Sequence, residues 1–180
     1  MTKSIHTEQR NQKTQKTQVK ERTYTLRQHQ PGDIGMILHK HGVLYATEYG
    51  WDQKFEAMVA QIAADFLRDF DQQRERCWIA EIGEEIVGSI AVAKSSDSVS
   101  KLRLFFVDDK ARGQGLGQHL VSEVIGFCRE VGYKKIELVT DRALKAARHI
   151  YSKNGFKLVA EEEHETFGKG LVMETWELAL

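Results

Sequence analysis

Cysteine is scarce in this chain: only Cys77 and Cys128 occur among 180 residues, each inside an apolar run. Two buried free thiols in a reducing compartment is the plainer reading, with a single disulfide as the alternative. Charge of neither sign is in excess. Lys plus Arg number 26 and Asp plus Glu number 26, so no global field draws the chain to nucleic acid or to an acidic membrane, although a local patch is allowed. A run of 18 apolar residues is absent, as is a secretory leader near the start, so the protein is expected to be cytoplasmic and not membrane-bound. No internal repeat and no interdomain linker is visible. The single proline, Pro31, stands where an early strand must end. At 41% hydrophobic residues, a chain of this length builds about one domain with a core that needs no staples.

Residues 1–18 hold only Met1 and Ile5 as aliphatic anchors. Such a segment cannot offset its own ordering entropy and is expected to be a flexible polar tail, with a nucleic-acid arm the weaker reading because basic residues are sparse. The domain is expected over 19–180. Alternation predicts a first strand in VKERTYTLRQ, then a helix through GMILHKHGVL with Asp33 near its start. A loop holding Tyr45, Glu48, Tyr49 and Trp51 is expected next. Asp52 is placed to cap a second helix through Phe70. Three short strands follow: CWIAEIG, EIVGSIAVAK and VSKLRLFFVD. Helical spacing returns in LGQHLVSEVIGFCREVG, then a strand KIELVT, a helix ALKAARHIYSKNG closed by Gly155, and strands FKLVAEE and LVMETWEL. Helices interrupting a mixed sheet make an α/β or α+β sandwich.

The most informative stretch is LRLFFVDDKARGQGLGQHLV, an apolar strand that enters a glycine-rich turn and then an amphipathic helix. Gly113, Gly115 and Gly117 let the backbone approach a ligand closely. The first-turn N–H groups after Gly115 lack helical partners, and Arg112 adds a charge-assisted donor, so the turn is suited to a phosphate or pyrophosphate. The spacing is wrong for a dinucleotide fingerprint, and the Gly-Lys-Ser/Thr of a nucleotide-hydrolase loop is missing. An ordinary tight strand–helix turn is the alternative.

Arg112-Gly113-Gln114-Gly115-Leu116-Gly117 resembles the R/Q-x-x-G-x-G/A signature of the GCN5-related N-acetyltransferase (GNAT) superfamily. Ala147, Tyr151 and Gly155-Phe156 resemble its "A…Y…GF" ending. The resemblance covers about residues 19–180. It implies a mostly antiparallel central sheet flanked by helices, acetyl-CoA as co-substrate and an amine as acceptor. It further implies that Phe105, Phe106 and Val107 line the pantetheine arm and that Arg112 through Gly117 hold the pyrophosphate. Asn154 and Lys153 would lie toward the coenzyme's far side, although a helix-end lysine is commonly a solvated cap. The strings GDIGMILHKHGVLYATEYGWDQKFEAMVAQIAADF, CWIAE and FG-x-x-L-V-x-x-x-W-x-L also resemble the acetyltransferase half of proteins that fuse it to a MarR-type winged helix. The 18-residue lead is too short for such a DNA-binding domain.

Acyl transfer from a thioester to an amine needs a neutral amine, a stabilised carbonyl oxygen and a protonated leaving thiolate. A free amine of pKa ~10 is mostly protonated at neutral pH, so a carboxylate or histidine must draw off a proton. A backbone N–H near Phe106 or Val107 is placed to meet the oxygen. The resemblance makes Tyr151 the candidate general acid; a core tyrosine is the alternative. Glu48 is the candidate base or acceptor ligand, in a segment where the superfamily places acceptor-binding residues, and Tyr45, Tyr49 and Trp51 would bind acceptor beside it. His39 and His41 are two apart and cannot share a helix face; a surface histidine is expected for each, with one of them reaching the pocket as the alternative, and no metal site is expected from them. Arg103, between Leu102 and Leu104, must find an anion or reach water. It is expected to bind an acceptor carboxylate, or else to pair with Glu81 or an acid in Glu161-Glu162-Glu163. A small-molecule amine acetyltransferase is the leading reading. A protein or peptide acetyltransferase and a non-catalytic coenzyme sensor are the alternatives. A homodimer joined through the C-terminal strands is compatible with each.

Overall fold

A computed structural model describes residues 23–180. The tail assigned to 1–18 and the start of the expected first strand, 19–22, lie outside the described residues. The elements run β1 (Thr25–Gln28), α1 (Asp33–Tyr49), α2 (Gln53–Arg68), β2 (Arg76–Ile82), β3 (Glu85–Lys94), β4 (Val99–Val107), a 3-10 turn (Asp109–Ala111), α3 (Leu116–Glu130), β5 (Lys135–Asp141), α4 (Lys145–Lys153), β6 (Lys157–His164) and β7 (Leu171–Ala179). The seven strands form one sheet in the order β1-β2-β3-β4-β5-β7-β6. Every neighbouring pair is antiparallel except β4 with β5. The expected α/β sandwich, with a mostly antiparallel centre, is the architecture found.

Period-two alternation explains the two cores. Along β2, Cys77 and Ile79 face α1 and α2, while Trp78 and Ala80 face α3. In β3, Ile86 and Ala91 take the first side, and Val87, Ile90 and Val92 the second. Both faces are covered, which is why these strands read as continuous apolar runs. Cys77 and Cys128 are buried and free. Burial pushes their thiols up, to about 12 and about 11.

Several boundaries differ from expectation. The first strand begins at Thr25 because its partner β2 gives out at Ile82; Thr25 faces Glu81. The first helix does not stop at Leu44 but continues through Tyr49, so Tyr45, Glu48 and Tyr49 lie on a helix and not in a loop. No glycine or proline stands between Leu44 and Gly50, which adopts φ 68° and donates its N–H to the Ala46 carbonyl. The buried stripe Ile34, Ile37, His41, Tyr45 keeps helical spacing across the expected break. Asp52 caps α2 as expected, its carboxylate accepting the Lys54 N–H at 2.8 Å.

Two distortions of β4 prepare a site. Leu104 has φ 49°, and the pairing with β3 slips between Ser89 and Ala91. The Ser89 hydroxyl donates to the Leu104 carbonyl at 2.6 Å and fastens this bulge. As a result Arg103 and Leu104 both lie on the α1–α2 side, and Phe105 turns to the other. The second distortion is a splay. β4 pairs with β5 only at Val99–Lys135, Ser100–Ile136 and Lys101–Glu137. From Leu102 onward that edge of β4 has no partner strand, and the two strands part.

Candidate active site

The glycine turn closes one side of the splay. Gly113 and Gly115 hold φ 73° and 79°, conformations that a side chain would disfavour. Gly115 stands at the N-terminus of α3, where no side chain caps the first-turn N–H groups. Gly117 is held by packing: a Cβ there would sit 2.7 Å from Ile150 Cδ1 and 3.5 Å from Phe105 Cζ. Between turn, β4 and α4 lies a cavity of about 430 Å³, bordered by Phe105, Phe106, Val107, Arg112, Gly117 and Ile150. At its rim Arg112 pairs with Glu48 at 2.5 Å. That hydrogen bond raises the Arg112 pKa above its ordinary value.

A second cavity, about 290 Å³, opens on the α1–α2 side of β4 and shares Tyr45, Phe105, Leu144 and Ala147 with the first. Its wall is aromatic. Trp51 lies 4.7 Å from Phe55 and 4.6 Å from Phe167, and Tyr45 stacks on Trp51 at 5.1 Å, all between ring centroids. The Asp52 N–H donates to the Phe167 carbonyl at 3.0 Å and ties the β6–β7 loop across α2.

Polar groups punctuate this apolar wall. Arg103 makes no hydrogen bond or ion pair with any described residue, and burial lowers its pKa against the pull of Glu137. Of the acids considered for it, Glu81 is engaged by Arg27 at 2.6 Å and Glu161 by Arg142 at 2.5 Å, whereas Glu162 borders the same cavity as Arg103. Tyr151 is 4% exposed, and burial pushes its phenol well above the usual tyrosine range. Its hydroxyl has no hydrogen-bond partner among the described residues. His41 is likewise 4% exposed, which corrects the expectation of a surface histidine; His39 is exposed. His41 Nδ1 lies 2.8 Å from the Ile37 carbonyl. A carbonyl only accepts, so Nδ1 carries the proton and Nε2 keeps a lone pair. Burial lowers this imidazole to about 4, so it is neutral. At the far end Asp141 accepts the Ala143 N–H at 2.8 Å and faces His164 Nε2 at 3.3 Å.

Residues 45–178 match the family described as Acetyltransferase (GNAT) domain. The chain belongs to the GNAT acetyltransferase family. Human N-acetyltransferase 8 is 30% identical over 113 residues, 59% of this chain and 50% of that protein. N-acetyltransferase 8 of Rattus norvegicus is 33% identical over 108 residues, 57% of this chain and 47% of the other. The chain therefore spans about half the length of these curated relatives. Among solved structures, ribosomal-protein-alanine N-acetyltransferase from Brucella melitensis superposes with TM-score 0.69 at 19% identity, over 87% of this chain and 99% of that one. Spermidine N-acetyltransferase from Vibrio cholerae, in complex with CoA and spermine, gives 0.65 at 16% identity over 87% and 95%. At these identities the superpositions establish the fold.

The GNAT co-substrate is acetyl-CoA, and the first cavity suits it: a cleft that a Cβ at Gly117 would narrow, an uncapped helix N-terminus and an arginine. Of the residues expected at the coenzyme, Phe105, Phe106, Val107, Arg112, Gly113, Gly115, Leu116, Gly117 and Lys153 border this cavity. Gln114 and Asn154 do not. Gln114 is engaged by the Thr23 hydroxyl and donates to the Lys110 carbonyl at 3.1 Å. Asn154 exchanges hydrogen bonds of 2.8 and 3.0 Å with Gln118, which does line the cavity and which sequence reasoning passed over. Tyr49 and Glu48 border the first cavity only, whereas Trp51, Arg103 and Tyr151 border the second and Tyr45 both. Asp141, His164 and Phe167 were also missed; nothing local marks them, because they meet β4 only through the sheet order. Among the described residues no group of three or more His, Cys, Asp or Glu side chains is arranged to hold a metal, and no helix is long and apolar enough to cross a membrane.

Proposed function

We propose that the protein transfers the acetyl group of acetyl-CoA to the primary amine of a small, carboxylate-bearing molecule. The observation behind this reading is Arg103, a cation with no hydrogen bond or ion pair among the described residues, lining a cavity that adjoins the coenzyme cleft. A half-buried guanidinium left unpaired is costly, and a ligand carboxylate would relieve that cost. The cavity's volume and aromatic walls match a small molecule better than a peptide groove.

Bound acetyl-CoA supplies an activated thioester. Arg112 and the N–H groups of the α3 N-terminus hold the pyrophosphate, and the unpaired edge of β4 from Leu102 to Val107 offers backbone partners to the pantetheine arm. A backbone N–H near Phe106 or Val107 stabilises the carbonyl oxygen as charge builds. The C–N bond forms as the C–S bond breaks. Tyr151, held protonated by burial, gives its proton to the departing sulfur, and the amine nitrogen loses one, so one proton passes from nitrogen to sulfur overall. Transfer is direct, since no cysteine lines either cavity. Glu48 reads better as the partner that orients Arg112 than as the base, because it faces the coenzyme side.

The likeness to the acetyltransferase half of MarR-type fusion proteins and a cytoplasmic setting belong to the same proposal. So does a homodimer through the C-terminal strands, supported by β6, whose residues from Lys157 to Glu163 are all exposed. The test is thiol release from acetyl-CoA against amino acids, their amides, decarboxylated amines, polyamines, aminoglycosides and short peptides. An amino acid acetylated faster than its amide supports the reading. Acetylation confined to peptides or polyamines overturns it, and silence with coenzyme binding intact would point to a sensor.

A further inference from the structure

Two histidines border the second cavity, and their ring nitrogens are not in the same condition. His164 has both engaged: Nε2 faces Asp141 at 3.3 Å, and Nδ1 faces the Thr166 hydroxyl at 3.3 Å. His41 has one engaged. The Ile37 carbonyl takes the Nδ1 proton, and Nε2 has no partner among the described residues. The ring is locked in place, stacked on Tyr45 with centroids 5.7 Å apart and edge-on to Phe106 at 5.3 Å. Phe106 belongs to the strand segment whose backbone lines the coenzyme cleft. A lone pair on a ring held in place therefore sits on the wall of the second cavity, beside a residue of the first, and nothing among the described residues satisfies it.

We infer that His41 is the subsite for the acceptor's amine: Nε2 accepts a hydrogen bond from the amine N–H and leaves the nitrogen's own lone pair free to attack. The assignment rests on the reading above and deepens it. Together with Arg103 it makes a two-point clamp for an amine that carries both an N–H and a carboxylate. A neutral imidazole suits this task better than a carboxylate would, because it accepts from the uncharged amine without holding the ammonium form by ion pairing.

The test compares His41→Gln with His41→Met. Both lose the bond to Ile37, but only glutamine can place an acceptor near the position of Nε2. With the amino acid that the wild type acetylates fastest, His41→Met is expected to lose about 10- to 100-fold in kcat/KM, the worth of one buried hydrogen bond to the reacting group. His41→Gln should recover a substantial part of that loss, and the coenzyme KM should be unchanged in both. Equal kcat/KM in two variants with matched melting temperatures overturns the assignment. Should either variant not fold, nitrogen NMR of 15N-histidine wild type decides it. The unprotonated Nε2 resonance should move upfield when CoA and that amino acid are added together, and an unmoved resonance overturns the proposal. A wild type silent on every amine removes the parent reading, and this assignment with it. An active wild type indifferent to residue 41 removes only the assignment.

Discussion

Replacing Arg103 by methionine separates what the residue does for function from what it does for stability. The guanidinium lies between apolar neighbours on β4 and lines the second cavity without an ion pair among the described residues. If it holds the acceptor's carboxylate, Arg103→Met removes one or two charge-assisted hydrogen bonds, together worth about 2–4 kcal/mol. That corresponds to a rise in acceptor KM of about 30-fold to about 900-fold. The amide of the same amino acid, with no carboxylate to lose, should change by much less. The effect on the fold has the opposite sign. Burial lowers the Arg103 pKa, which means that its charged form is held at a cost. An unbranched apolar chain of similar reach removes that cost, for a gain of about 1 kcal/mol and a melting temperature higher by about 3 °C in a domain of this size. Thiol-release kinetics with the paired acid and amide, and a thermal melt of both proteins, supply the readouts. An unchanged acceptor KM would refute the carboxylate assignment. A melting temperature lower by several degrees would instead show that Arg103 stabilises the folded chain.

Other consequences are as direct. Tyr151→Phe should lower kcat by about 10²- to 10⁴-fold with little change in coenzyme affinity, and wild-type turnover in that variant would remove Tyr151 as the acid. The buried His41 titrates at about 4 in the fold against about 6.5 unfolded, so the unfolded chain takes up the proton first as pH falls. Stability should therefore drop between pH 6.5 and 4, by about 3 kcal/mol in all, and His41→Met should lack that component; parallel melting curves for the two proteins across this range would contradict the burial. Cys77 and Cys128 are buried with raised thiol pKa values, so native protein should not react with Ellman's reagent at pH 8, while denatured protein should titrate two thiols. Prompt reaction of the native chain would show that at least one of them is accessible.

Much of the fold was legible because its signals are local. The alternation in EIVGSIAVAK, the Asp52 cap and the glycines around Arg112 state their own conformations, since turn geometry, capping and face periodicity act over a few residues. The end of α1 was misread although the signal was present: Tyr45 extends the stripe of Ile34, Ile37 and His41, and Gly50 supplies the stop. Aromatic crowding was taken for a loop, when its purpose is to wall a cavity from a helix.

The glycine turn before α3 was legible in the sequence itself, because its conformation follows from neighbouring residues, while Tyr151 was singled out by the resemblance of its motif. The tertiary structure alone decided which groups share the second cavity. Asp141 and His164 come to it across the strand order β4-β5-β7-β6, and Arg103 is turned toward it by a bulge that Ser89 fastens from another strand. Whether Arg103 meets an anion, and whether His41 is left with a bare lone pair, are questions of what lies within about 3 Å in space. Residues far apart in the chain answer them, and no local pattern encodes that distance.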